Sequence, residues 1–438
     1  MSALTRIAAF LAAAALSPAA LAAEASMDKA DVVWMLVSTT LVLFMTIPGI
    51  ALFYGGMARK KNVLSILAQT TVICCALTLV WFAAGYSLAF GPGSAFVGGL
   101  SHVFLNGLDI NSMSGSIPTL LFVCFQMTFA ILTATLMIGA FAGRMKFSAM
   151  LVFMILWSLC VYSPVCHWVW AEGGFFFDMG ALDYAGGTVV HINAGVSGLV
   201  ACLVLGKRLG YGREPMSPHN LTFAMLGAAI LWIGWFGFNG ASAFAADGVA
   251  ALAFLNTMVA PAAAMISWML VERLRSGKAT LVGACTGIVA GLVVITPAAG
   301  FVDVWAAVVM GLIVSPICYS AMAFLKPKLG YDDALDAFGC HGIGGMVGGV
   351  LTGVFCVPDL SWTDFGGLLY TGDSTLLIAQ IEGILITIVF VAVMSAIIGL
   401  VVKVLFKGSL RVSVEEEAEG LDAREHGESA YPAFNGLD

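Results

Sequence analysis

Two stretches decide the reading, HINAGVSG at residues 191–198 and HGIGGMVG at residues 341–348. Both are His-x-x-x-Gly-x-x-Gly inside apolar runs, and each His follows an Asp: Asp183 eight residues before His191, and Asp336 five residues before His341. An ionisable side chain in hydrocarbon is costly and marks a pathway. Glycines at such spacings let helix backbones approach closely. The two stretches therefore read as related helices that carry two histidines toward one bundle axis. The chain has 50 glycines, so the match needs support from elsewhere in the sequence.

Span count supplies that support. A membrane-crossing helix needs about 20 apolar residues. Eleven windows qualify: 33–54, 64–90, 117–141, 148–170, 188–206, 221–245, 250–271, 279–297, 302–325, 337–357 and 376–406. The two motifs fall in the fifth and tenth, five spans apart, so they enter the membrane in opposite directions. Inverted repeats of this kind place a site at their interface near the midplane. The expected fold is an all-α polytopic membrane protein of eleven transmembrane helices. Two inverted five-helix repeats, about 33–206 and 221–357, are followed by one extra helix at about 376–406.

The bases set the orientation. Alternate connections carry Arg59, Lys60 and Lys61; Arg144 and Lys146; Lys207, Arg208 and Arg213; Arg273, Arg275 and Lys278; Lys326 and Lys328; and finally Lys403, Lys407, Arg411 and Arg424. The connections between them (91–116, 171–187, 246–249, 298–301 and 358–375) have no Lys or Arg. By the positive-inside rule the membrane domain runs N-out and C-in.

Composition agrees. Of 438 residues, 60% are apolar and 10% charged, with a mean hydropathy of +0.99, against about 25% charged in soluble domains. The net charge of −7 has no basic patch that would suit nucleic acid. The ten cysteines lie in or beside apolar runs without a C-x-x-C, and read as small apolar residues, not as disulfides or metal ligands. Residues 1–22 read as a signal peptide cleaved at an A-x-A site, which puts the mature N-terminus outside. Residues 23–406 form the membrane domain. Residues 407–438 are dense in Glu and Gly, cannot fold alone, and read as a cytoplasmic regulatory tail.

Within the spans, His167, His191 and His341 stand out, since His102, His219 and His426 fall in loops or tail. Paired imidazoles in a dry core can exchange a proton with a neutral solute. They could also ligate haem or a metal, but no carboxylate or Cys pattern completes a coordination set. Phe125 and Phe129 form an i, i+4 pair in span three, Trp235, Phe236, Phe238 and Ser242 lie along span six, and Trp170 closes span four. Such aromatics commonly serve as core, lipid-facing or interface-belt residues. The functional alternative is a cation–π cup of Trp170 and Phe129, with Ser242 accepting a hydrogen bond, for a small cation losing its water. Asp183, just before Gly186 and Gly187, is placed to cap the helix N-terminus of span five. Pro261 is expected to kink span seven.

Five segments carry a family resemblance: FMTIPGIALFYGGMARKKN at 44–62, DYAGGTVVHINAG at 183–195, GWFGFNGASA at 234–243, DAFGCHGIGG at 336–345 and LRVSVEEEAEGLDAREHGESAY at 410–431. They resemble the ammonium transporter family (Amt/Mep/Rh), in its bacterial Amt branch, over essentially the whole chain. The resemblance implies a homotrimer with one pore per subunit, moving ammonium inward across the inner membrane without a cofactor or enzymatic reaction. It assigns Trp170, Phe129 and Ser242 to an outer recruitment site, and Phe125, Phe129 and Phe238 to an aromatic gate. It makes His191 and His341 twin pore histidines and Asp183 the essential acid below the vestibule. The Trp and Ser favour Amt over the Rhesus branch, and the tail resembles a segment that helps dock a trimeric P-II signal protein. Three other readings are a neutral gas channel for ammonia or carbon dioxide, an ammonium sensor signalling through its tail, and a haem enzyme using the span histidines.

Overall fold

The computed structural model describes residues 26–431, so the expected signal segment at 1–22 lies outside the described residues. Among those residues, ten helices are long and apolar enough to cross a membrane. They are α1 (Lys29–Met57), α2 (Lys60–Phe90), α3 (Thr119–Phe141), α4 (Phe147–Met179), α5 (Gly187–Leu205), α6 (Leu221–Ala243), α7 (Gly248–Ser276), α9 (Val304–Leu329), α10 (Phe338–Phe355) and α11 (Thr375–Leu405). The eighth window is occupied by a shorter apolar helix, α8 (Leu281–Ile295). It is packed in protein: Gly287 and Gly291 bring its backbone against Ala264 and Pro261 of α7, and most of its residues are buried. Its N-terminus is capped by Thr280, whose hydroxyl accepts from Gly283 N at 2.9 Å.

Proline does not end the helices it interrupts. Pro261 lacks the N–H that would bond to the Thr257 carbonyl, and Pro316 likewise frees the Leu312 carbonyl. The Trp232 indole donates to Thr257 O at 3.0 Å, and the Ser267 hydroxyl donates to Leu312 O at 2.8 Å. In hydrocarbon a freed carbonyl must find a partner inside the protein, and a side chain from a neighbouring helix supplies one in each case, Trp232 of α6 and Ser267 of α7.

The two histidine helices share a construction. Both α5 and α10 begin with a π-helical turn that contains the histidine, Gly187–Ile192 and Phe338–Gly342, and then continue as α-helix. They cross at glycine. A Cβ on Gly195 would sit 2.3 Å from the backbone N of Gly342, and one on Gly345 would sit 2.8 Å from Gly187 O. α11 lies outside them, and its buried Gln380 exchanges hydrogen bonds with Leu182 N and O at 2.6 and 2.8 Å.

The tail, which the sequence leaves unfolded by itself, forms two short helices, α12 (Val414–Glu419) and α13 (Leu421–His426), on the base-bearing loops. Lys61 Nζ donates to Glu417 O at 2.8 Å, Ser65 N donates to the Asp422 carboxylate at 2.8 Å, and Leu421 N donates to Asn62 Oδ1 at 3.0 Å. The buried Glu417 carboxylate pairs with Arg411 at 2.5 Å and accepts from Leu209 N at 2.6 Å. Beneath the tail, the buried Arg144 guanidinium donates to Asp332 O, Gly206 O and Ala140 O. Burial lowers its pKa to about 10, which leaves it cationic at neutral pH. All ten cysteines are free.

Gly195→Val should cost about 3 kcal/mol or more, the upper range of overpacking, because the opposing atoms are backbone and cannot rotate away. The check is the thermal midpoint of the detergent-solubilised protein against wild type. Glu417→Ala should release the tail, read as faster proteolytic cutting after Gly408 with an unchanged midpoint for the membrane domain.

Candidate functional site

A carboxylate starts each histidine helix. Asp183 is buried and accepts from four successive backbone N–H groups, those of Gly186, Gly187, Thr188 and Val189, at 2.6–3.0 Å. These are the orphan donors of a helix start. Burial pushes the Asp183 carboxyl above its ordinary value, and the four donors work against that shift. In the second repeat the equivalent carboxylate is Asp333, also eight residues before its histidine, and it accepts from Ala337 N and Phe338 N at 3.0 and 2.8 Å. Burial and the neighbouring Asp336 raise the Asp333 carboxyl above its ordinary value. Asp336, the nearer acid in sequence, is not the cap. It occupies the left-handed position that Gly186 fills in the first repeat (φ +59° against +117°) and pairs with Lys326 at 2.7 Å.

The capped loop also positions an aromatic. Trp170 donates its indole N–H to Asp183 O at 2.8 Å, which sets the ring edge-on to Phe129, with centroids 5.7 Å apart. On α3, Phe122, Gln126 and Phe129 follow at i, i+4 and i+7 and face the same space. Ser242, in the last turn of α6, donates to Phe238 O at 2.9 Å, so its oxygen lone pairs remain available. Together with Tyr184 and Phe244, these residues line an aromatic cavity of about 90 Å³. Trp170, Phe129 and Ser242, separate in sequence, thus share one cavity wall.

Phe129, on the cavity wall, is backed by Phe238. Their rings stack at 4.1 Å with 15° between planes. Phe125 does not join that stack: it packs edge-on to Phe129 at 4.9 Å and against Phe244 at 5.7 Å, behind the pair. Beyond Phe238, at 6.2 Å, lies His191, stacked on Trp235 at 5.3 Å and 19°. Trp235 is held in turn by its indole N–H donating to Thr296 Oγ1 at 2.9 Å.

His191 Nδ1 and His341 Nδ1 face each other at 3.3 Å, and both side chains are buried. Two neutral imidazoles can make that bond only if one donates and the other accepts. One Nε2 is then a bare acceptor and the other an N–H donor. His191 Nε2 has no partner among the described residues. His341 lies on the wall of a second cavity of about 250 Å³, with Tyr54, Trp268, Glu272, Asp336 and Cys340. The order of parts is aromatic cavity, stacked phenylalanines, paired histidines, second cavity.

His167, the third span histidine, is elsewhere. Its ring nitrogens contact Ala89 O at 2.8 Å and Ser94 O at 2.7 Å, tying α4 to the segment after α2. No group of three or more His, Cys, Asp or Glu side chains suited to a metal occurs among the described residues. Sequence reasoning named Trp235 only as a span-six aromatic and gave it no role, and it missed Tyr184, Phe244 and Gln126. Gln126 was findable, as a polar residue on the Phe129 face of an apolar span. Phe244 was not, because its place depends on a left-handed backbone (φ +56°).

Asp183→Ala leaves four buried donors without an acceptor, at about 1–3 kcal/mol each. The variant should lose several degrees in thermal midpoint and lose transport as well. Asp183→Asn, which keeps one oxygen, should fall between the two in a melt of the purified proteins.

The Ammonium Transporter Family model matches residues 33–431. An ammonium transporter of Aquifex aeolicus is 51% identical over 94% of this chain and 96% of its own, and one of Bacillus subtilis is 48% identical over 92% and 99%. The solved structure of Saccharomyces cerevisiae Mep2 aligns at a TM-score of 0.85 with 37% identity, over 94% of this chain and 93% of that one. A solved "Sensor Amt Protein" aligns at 0.83 with 28% identity, over 91% and 98%. The chain belongs to the ammonium transporter family.

Proposed function

We propose that the aromatic cavity is the outer one and that this chain recruits ammonium there, removes a proton from it, and conducts ammonia inward past the paired histidines, with or without that proton. The observation that carries this reading is the alignment of two cavities on either side of a stacked phenylalanine pair and a facing imidazole pair. The Trp170 and Phe129 rings offer a desolvated cation about 2 kcal/mol or more, enough to recruit without trapping, and Ser242 accepts one N–H. Phe129 and Phe238 then act as the gate, backed by Phe125. Past them His191 and His341 offer imidazole nitrogens, which take a hydrogen bond from ammonia and relay it from one ring to the other. K⁺ and Na⁺ have no N–H to donate and no proton to lose, so they cannot replace their hydration shells in this passage. Asp183 acts through capping, since its carboxylate is fully used by backbone donors.

The assembly in this proposal is a homotrimer in the bacterial inner membrane, N-out after signal cleavage and C-in, with the base-bearing loops and tail toward the cytoplasm. A P-II type protein is the proposed partner on that face. A second reading, an ammonium sensor, draws on the tail docked against the loops and on the likeness to the protein titled as a sensor. A neutral gas channel differs from the leading reading in carrying no charge.

Removing Trp170 as Trp170→Leu should raise the ammonium half-saturation roughly thirtyfold, the equivalent of about 2 kcal/mol, measured as uptake into proteoliposomes. His191→Ala and His341→Ala should each abolish the discrimination between ammonium and K⁺. If both variants keep uptake and K⁺ rejection at wild-type levels, the histidine passage is wrong.

A further inference from the structure

His167 is the span histidine that the proposed passage leaves unused. It is 3% exposed, and each of its ring nitrogens meets a backbone carbonyl: Nδ1 lies 2.8 Å from Ala89 O and Nε2 lies 2.7 Å from Ser94 O. Neither oxygen has another donor among the described residues. A neutral imidazole carries one N–H, so it satisfies one carbonyl and turns a lone pair on the other. Only the doubly protonated ring donates to both. The surroundings suit that cation. His167 falls in the last turn of the run Ser163–Trp170 within α4, and Ala89 falls in the last turn of α2. Two helix C-terminal ends, each partly negative, converge on one ring.

The carbonyls belong to a segment that closes a wall. The Trp168 indole donates to Phe96 O at 2.7 Å and Phe175 N donates to Ala95 O at 2.8 Å, so residues 89–96 lie along the end of α4. With Trp170 and Glu172 they enclose a third cavity, of about 420 Å³. Phe90 and Trp170 line both this cavity and the aromatic one, and form the partition between them. We infer that His167 is a pH-operated clasp: as an imidazolium it pins residues 89–94 to α4 and fixes that partition, and on losing a proton it releases the segment. The inference does not depend on what crosses the aromatic cavity. Few other groups act on the ring. Residues 89–99 have no titratable side chain, and Tyr86 of α2 packs on Phe90. On the wall of the third cavity the other ionisable residue is Glu172 of α4. Tyr162 and Cys166 group with Asp183, α11 meets the adjoining Trp168 through the uncharged Phe390, and His102 turns its Nδ1 to Asn106 O. The clasp is complete at low pH, and one of its two bonds is lost as the ring titrates with rising pH.

The test is hydrogen exchange of the purified full-length protein from about pH 5 to about pH 9, a range that brackets imidazole titration. Rates are read on peptides covering 88–101 and divided by the intrinsic amide rate at each pH. In wild type the corrected rate should rise about tenfold or more with pH, as expected for losing a hydrogen bond to a charged group. No such step should occur in α11, which has no histidine. His167→Gln keeps an amide donor for Ser94 O and His167→Asn keeps one for Ala89 O, and neither titrates. In each variant the segment should exchange at the alkaline wild-type rate at every pH, and either variant decides the matter if the other does not fold. A flat wild-type profile, an equal step in α11, or a step that persists in a folded variant overturns the clasp and leaves the proposed transport untouched.

Discussion

A helix that begins inside a packed membrane domain has backbone N–H groups with no water to take them. Two such helices hold the histidines of this protein, and a buried carboxylate eight residues before each histidine meets that demand. Asp183 takes four donors at the start of α5, and Asp333 takes two at the start of α10. With the starts held, the glycine crossing at Gly195 and Gly342 lets the backbones touch. The imidazoles then meet at 3.3 Å. The same Asp183 turn anchors Trp170 through its carbonyl, so the aromatic cavity and the histidine pair are set by one capped loop.

In the proposed mechanism, selectivity follows from what the passage withholds. Between the cavities the walls are stacked Phe129 and Phe238, then Trp235 and the imidazoles. A bare alkali cation entering there would lose its hydration against aromatic edges and neutral nitrogens, a cost that a few weak contacts do not offset. A solute that can leave its proton behind avoids that cost. The neutral histidine pair always shows one donor and one acceptor at its free ends, whichever tautomer it adopts, and so can hand ammonia along.

Much of this was legible in the residues. Each of the eleven apolar windows is occupied by a helix, since burying a span in lipid leaves composition little choice. The facing of His191 and His341 followed from a shared glycine pattern in helices expected to be inverted. The cap of the second repeat was not legible, because the nearer Asp336 drew attention from Asp333. Only the backbone shows that Asp336 stands in for Gly186 at a left-handed position. Phe125 and Phe129 looked equivalent as an i, i+4 pair, yet only Phe129 reaches Phe238, because α6 approaches one side of α3. The tail, too polar to fold alone, folds by using Lys61, Asn62 and Ser65 as partners more than 350 residues away.

The central claim is that an N–H donor able to shed a proton passes where a bare cation does not. Its most direct test is the electrical response of a supported membrane holding the purified wild-type protein, given an ammonium pulse and then an equal K⁺ pulse. The account predicts a transient current for ammonium and none for K⁺. A K⁺ current of comparable size would contradict it.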